Sequence, residues 1–171
     1  MVDFPNKYAF TIYFSGCNMD CSFCHNKHIL TSDANYSFEE IYEEIKALNK
    51  IVPDIGVVLS GGEPTCNRDF EKALNAFEDY PLSLHTNGMN IVPEYEGNIV
   101  LGLKPFNTRT YIKTISNFLI YHADFSDTYY REVRYVTGVD DVEYGKVITE
   151  LQPIIEKTNW NLCSVEDSRK E

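Results

Sequence analysis

No apolar run in this chain of 171 residues approaches the roughly 20 that cross a bilayer as a helix. A membrane span of the ordinary kind is excluded. The opening residues, Met-Val-Asp-Phe-Pro-Asn-Lys, have no basic stretch leading into an apolar one. No secretory signal is expected, and the expected location is the cytoplasm. Basic residues are scarce: 15 Lys and Arg stand against 26 Asp and Glu, for a net charge of −11. Phosphate backbones require a basic face, so nucleic acid is not an expected partner. A small-molecule site or a protein partner suits the balance better, and so does a merely solvated acidic surface. Repeats, linkers and low-complexity stretches are also lacking. One domain over residues 1–171 is expected, with enough apolar residues (43%) for a sizeable core.

Cysteine is sparse and odd in number, five in all. Without a secretory signal, that argues against a disulfide framework. Three of the five fall together as Cys17-x3-Cys21-x2-Cys24. Structural zinc takes four protein ligands, and iron–sulfur clusters also normally take four cysteines. Three thiolates therefore imply a fourth ligand of another type or an open position. In one reading His25 or His28 completes a zinc knot. In the other, three thiolates hold a four-iron cluster whose fourth iron is free to bind a small molecule. Spacing alone leaves both standing. Cys66 reads as a small residue after a turn, and Cys163 as a buried cysteine in a strand.

Residues 8–14, Tyr-Ala-Phe-Thr-Ile-Tyr-Phe, are aromatic and β-branched and predict a buried strand. Ser37-Phe-Glu-Glu40 is a capping box, and Phe38, Ile41, Tyr42, Ile45 and Leu48 continue it at helical spacing. Ile55 to Leu59 predicts a second strand, and Phe70, Ala73, Leu74 and Phe77 a second helix. Further strands are predicted at 82–86, 99–103, 132–136 and 160–165. A helix capped by Asp140 and Glu143 carries Val147, Ile148 and Leu151, with Pro153 near its end. Residues 106–130 give no clear period; Phe118 to Tyr121 suits either an extra strand or part of a short helix. Glu166–Glu171 reads as a charged tail. Strands alternating with helices indicate an α/β fold with a mostly parallel sheet.

The second strand runs into Ser60-Gly-Gly-Glu-Pro-Thr65. Two glycines after a strand let a backbone approach a ligand closely, and Glu63 places a carboxylate suited to an ammonium beside them. Alone, this is an ordinary turn. Paired with the cysteine loop after the first strand, it resembles the radical S-adenosylmethionine (SAM) superfamily, including the aromatic Phe23 just before the third cysteine. The resemblance implies a 4Fe–4S cluster on Cys17, Cys21 and Cys24, with SAM on the open iron. It implies that Gly61, Gly62, Glu63 and Pro64 hold the methionine ammonium and that Phe23 lies near the adenine. A reduced cluster would then cleave SAM to a 5′-deoxyadenosyl radical. The fold implied is an incomplete (βα)6-type barrel.

A narrower resemblance covers most of the chain. Val2-Asp-Phe-Pro5, Gly16-Cys-Asn and Cys24-His-Asn26, with Thr86-Asn-Gly88, Lys104-Pro105 and Glu132-Val-Arg134, look like the glycyl-radical-enzyme activases. The likeness is to the activating proteins of anaerobic ribonucleotide reductase first, and more distantly to that of pyruvate formate-lyase. It implies a radical SAM oxidoreductase that takes hydrogen from a backbone glycine of a partner glycyl-radical enzyme, with flavodoxin or ferredoxin as electron donor. It also implies cofactor contacts from Thr86, Asn87, Lys104 and Arg134; the alternative for Lys104 and Arg134 is a surface cation. His25 reads as a hydrogen-bond donor beside the cluster or as a loop residue packed under it, not as a ligand. Where the activases often carry aspartate, this chain has His85 and Gly102, which argues against a monovalent-cation site. The competing enzyme reading is a small-molecule radical enzyme such as a 7-carboxy-7-deazaguanine synthase, and the non-enzymatic one is a zinc-binding interaction module.

Overall fold

The aromatic and β-branched stretch near the start forms β1 (Ala9–Phe14). It pairs in parallel with β2 (Gly56–Gly61), from Ala9 opposite Gly56 to Phe14 opposite Gly61. The computed structural model describes residues 3–33 and 35–166. Val2 of the activase-like N-terminal motif and residues 167–171 of the expected tail lie outside them.

The described residues fall into two compact units. The first runs to His85 and includes Glu96–Asn98. Besides β1 and β2 it holds α1 (Phe38–Asn49), α2 (Phe70–Ala76) and β3 (Leu82–Thr86), whose last residue is counted in the second unit. β3 pairs in parallel with β2, Leu59 opposite Leu84. The capping box is formed at both ends: Ser37 accepts from the Glu40 amide at 3.2 Å and donates its own amide to the Glu40 carboxylate at 2.8 Å. Edge-on ring pairs join the helical segments, Phe38 with Phe77 at 6.0 Å and Tyr42 with Tyr80 at 5.9 Å. Ile45, Val57, Val58, Leu59, Phe77 and Leu84 are wholly buried here.

The second unit comprises Thr86–Tyr95 and the chain from Ile99 on. It contains β4 (Asn98–Gly102, less Asn98), α3 (Arg109–Tyr121), β5 (Arg131–Thr137), α4 (Asp141–Lys157) and β6 (Asn161–Glu166). β4 to β5 and β5 to β6 are both parallel. Ile99, Leu101, Ile115, Phe118, Val133, Val147 and Leu151 form its core. The six strands make a mostly parallel sheet in an α/β fold, as the alternation of elements required.

The unclear stretch resolves as α3, so the strand alternative for Phe118 to Tyr121 is wrong. Tyr111, Ile115, Phe118 and Leu119 are buried at helical spacing, and Thr108 caps the helix by accepting from the Tyr111 amide at 3.2 Å. Packing has overridden the modest helix propensity of Thr, Ile, Tyr and Asn. α4 continues through Pro153 to Lys157. No helix separates β3 from β4, so not every strand of the expected (βα)6 pattern has one. No helix of the described residues is long and apolar enough to cross a membrane.

Candidate metal and cofactor site

The β1–β2 ladder ends where two loops begin. Gly16 has a φ of +81°, which suits glycine. Its amide donates to the Leu30 carbonyl at 3.0 Å and closes the neck of the loop that carries the cysteines. Inside, Cys21 is buried while Cys17 and Cys24 are half-buried. The Cys24 amide donates to the Cys21 carbonyl at 3.1 Å, and the Met19 amide to the Cys17 sulfur at 3.4 Å. A short 3-10 turn, Lys27–Ile29, follows. Phe23 is half-buried in the same loop, while His25 and His28 are exposed.

The loop after β2 lies directly against this one. Gly62 donates to the Phe14 carbonyl at 2.8 Å, and Glu63 to the Gly16 carbonyl at 2.8 Å. A Cβ on Gly62 would stand 1.9 Å from the Gly16 oxygen, and one on Gly61, where φ is +116°, 2.4 Å from the Phe14 nitrogen. The Gly-Gly pair is what lets the two backbones touch. Glu63 is 1% exposed, and its Oε1 accepts from the Thr65 hydroxyl at 2.6 Å and the Thr65 amide at 3.2 Å. Pro64, buried, starts the 3-10 turn Pro64–Cys66. The first unit thus brings the three cysteines, Phe23 and the Gly61–Pro64 stretch together on two contiguous loops.

Three residues beyond the expected ligands and cofactor contacts join this arrangement. The Asn26 carboxamide donates to the Gly61 carbonyl at 3.3 Å, and the Asn67 carboxamide to the Ser15 carbonyl at 3.1 Å. Cys66, read from sequence as a turn filler, is exposed and bonds the Glu63 carbonyl at 3.2 Å. Its sulfur is nonetheless partly covered, and that desolvation raises the thiol above the usual range, with the charges of Glu63 and Cys17 adding to it. Asn26 closes the Cys24-His-Asn26 match but had no role assigned to it, and no local pattern marks Asn67 or Cys66, because each of the three acts on a partner in another segment or on loop backbone.

Thr86, Asn87, Lys104 and Arg134 belong to the second unit. Thr86 and Asn87 are buried and shape the turn they precede. Thr86 Oγ1 accepts from the Gly88 amide at 3.2 Å, and Asn87 Oδ1 from the Met89 amide at 3.0 Å. The Lys104 amide donates to the Tyr111 hydroxyl at 2.8 Å. Its ammonium folds back over Gly102: a Cβ there would stand 3.4 Å from Nζ and 3.6 Å from the Thr86 carbonyl oxygen. Arg134 is no surface cation. Its side chain is 15% exposed and its Nε pairs with the Glu132 carboxylate, which also accepts from the Tyr130 hydroxyl at 2.7 Å. Burial, then the bond to Glu132, pushes the Tyr130 phenol far up. Cys163, expected to be buried, is half-buried beside this group, and burial raises its thiol too. In the first unit, His85 Nε2 lies 3.0 Å from the Asp3 carbonyl oxygen.

Among the described residues, no three His, Cys, Asp or Glu side chains converge on a point where one metal ion would sit. Three thiolates on three different irons of a cluster do not need to.

A family model described as the radical SAM superfamily matches residues 11–99. Two proteins of Methanocaldococcus jannaschii, each named a glycyl-radical enzyme activating enzyme, are similar. One is 38% identical over 91 residues, 51% of this chain and 36% of that protein. The other is 26% identical over 164 residues, 89% of this chain and 64% of that protein. A 7-carboxy-7-deazaguanine synthase of Bacteroides thetaiotaomicron is 35% identical over 92 residues, 50% of this chain and 44% of that protein. The chain therefore spans between about a third and two thirds of these relatives' length (36% to 64%). Among solved structures, Streptococcus suis SuiB bound to S-adenosylmethionine superposes with a TM-score of 0.70 at 18% identity, over 95% of this chain and 41% of that one. That likeness is one of fold.

Proposed function

The chain belongs to the radical SAM superfamily, and from that premise we propose that it is a glycyl-radical-enzyme activase, with anaerobic ribonucleotide reductase as its partner. The cofactors of the family are a 4Fe–4S cluster and SAM, and the residues present fit them. Three thiols share one loop, short of the four that would close a structural site. Beside it stand a buried carboxylate and a strand end kept free of Cβ atoms. When bound, the reduced cluster supplies one electron that splits a carbon–sulfur bond of SAM and leaves a carbon radical able to take a hydrogen atom.

This chain's own residues bind and orient. Cys17, Cys21 and Cys24 would hold the cluster as thiolates. Glu63, with the backbone of Gly61 and Gly62, receives the methionine ammonium, and Pro64 fixes the turn that aims the carboxylate. Phe23 lies along the adenine. Lys104 meets the methionine carboxylate or the ribose. Thr86, Asn87 and Arg134 add further contacts to the cofactor. Flavodoxin or ferredoxin brings the electron.

The observation that carries the activase reading is the relative so named that matches 89% of the chain. Anaerobic incubation with the partner reductase, reductant and SAM is expected to give a glycyl-radical doublet by electron paramagnetic resonance. An intact cluster with the partner present and no doublet would overturn the reading. The Bacteroides relative favours a second one, a radical enzyme acting on a small molecule. That reading predicts turnover of a deazapurine precursor with no protein partner added.

A further inference from the structure

Two carboxamides tie the cysteine loop to the loop that holds Glu63: that of Asn26, the last residue of the Cys24-His-Asn26 match, and that of Asn67, which lies in no motif. The β1–β2 ladder stops at the Phe14–Gly61 pair. Past that point, among the described residues, the two backbones are joined through the amides of Gly62 and Glu63. Asn26, two residues after Cys24, reaches back to the Gly61 carbonyl at 3.3 Å. Asn67, four residues after Glu63, reaches the Ser15 carbonyl at 3.1 Å, two residues before Cys17. One side chain therefore bridges the two loops beyond the last cysteine and the other ahead of the first.

We propose that Asn26 and Asn67 are positioning residues that set the spacing between the thiol loop and the Glu63 carboxylate, and so the affinity for SAM. This rests on the reading that Cys17, Cys21 and Cys24 hold the cluster and Glu63 takes the ammonium. A ligand that spans an iron and a carboxylate needs both held at one separation, and small misplacements weaken it. Neither carboxamide has to touch the ligand. Each acts through a backbone carbonyl on the loop opposite its own. Cluster assembly needs only the thiol loop, so it is the second binding step that depends on the clasp.

The test uses the full chain, reconstituted with iron and sulfide without oxygen. SAM is titrated into the reduced protein while the cluster's paramagnetic signal is followed. Asn26→Ala and Asn67→Ala are each expected to keep wild-type iron and sulfide content and to need about fivefold more SAM for half-saturation, one neutral hydrogen bond's worth. The double variant is expected to need more than about tenfold. Asn26→Leu keeps the volume without the donor and should behave as the alanine variant does. Asn26→Gln keeps a donor and should recover most of the affinity. Wild-type affinity in both single variants overturns the proposal. So does a lower iron content whose remaining clusters bind SAM as before, since that is the mark of a purely structural staple. If SAM leaves the wild-type signal unchanged, the cofactor assignment itself fails, and the proposal falls with it.

Discussion

His122 shows how one side chain writes a pH dependence into the second unit. It is 5% exposed, and its Nε2 accepts from the Val92 amide at 3.2 Å. Its carbonyl accepts from the Arg131 Nε at 2.7 Å. Burial, and then the Arg131 charge, hold its pKa down at about 4. The folded state keeps the ring neutral, while the unfolded chain takes a proton below about pH 6.5. The stability due to the neutral ring is therefore fully present above pH 6.5 and drains as the pH falls through 4. The shift corresponds to roughly 3 kcal/mol across that window. Denaturant midpoints of the wild type are expected to fall between pH 6.5 and 4, and those of His122→Asn to fall less steeply. Equal slopes would show that the ring is not the group responsible. None of this was legible in the sequence, where His122 is one of four histidines and its burial depends on a helix with no clear signal. The candidate site's three cysteines and Glu63 could be singled out because residue type and spacing are themselves the signal there. The bonds made by Asn26 and Asn67 were not legible, although Asn26 stands in the Cys24-His-Asn26 match, because a bond to a backbone carbonyl in another segment leaves no local pattern. The pairing of Arg134 with Glu132 follows from strand alternation, which places residues two apart on one face, but only the structure tells which face is filled.

At the scale of elements, α3 carries the sharpest lesson. Its apolar residues recur at helical spacing, yet Thr, Ile, Tyr and Asn are weak helix formers and no acidic residue marks its first turn. What holds it is burial of Ile115, Phe118 and Leu119, each wholly buried, together with its cap. Removing the cap by Thr108→Ala is expected to cost about 1 kcal/mol. In a protein of this size that lowers the melting temperature by about 2–4 °C. Calorimetry checks it, and no change would mean that packing alone sets the start of the helix. The opposite case is α1, whose capping box was plain in Ser37 and Glu40 and is formed as read. The strands were found within a residue or two, because short β-branched runs bounded by turn residues have few other uses. α4 shows the limit of a rule: proline usually ends a helix, but the chain beyond Pro153 still has Ile155 to bury at 2% exposure, and the helix continues to Lys157.

For the molecule as a whole, cofactor binding and folding share one free energy. A group that binds only the folded chain stabilises it by mass action. The protein reconstituted with iron and sulfide is expected to melt above its iron-free form. Replacing Cys17, Cys21 or Cys24 by Ala is expected to erase that difference, as read by anaerobic calorimetry beside iron analysis. A gain that survives in all three variants would contradict the ligand assignment. The acidic balance, −11 overall, bears on solubility and partner choice and not on the fold.

The Gly16 oxygen occupies the volume that the first carbon of any side chain at position 62 would claim. Alanine and tryptophan there are accordingly the same insult, since the collision is complete before either differs from the other. The gap between the loops is gauged by a missing atom, and such a gauge has no neighbouring setting to drift to.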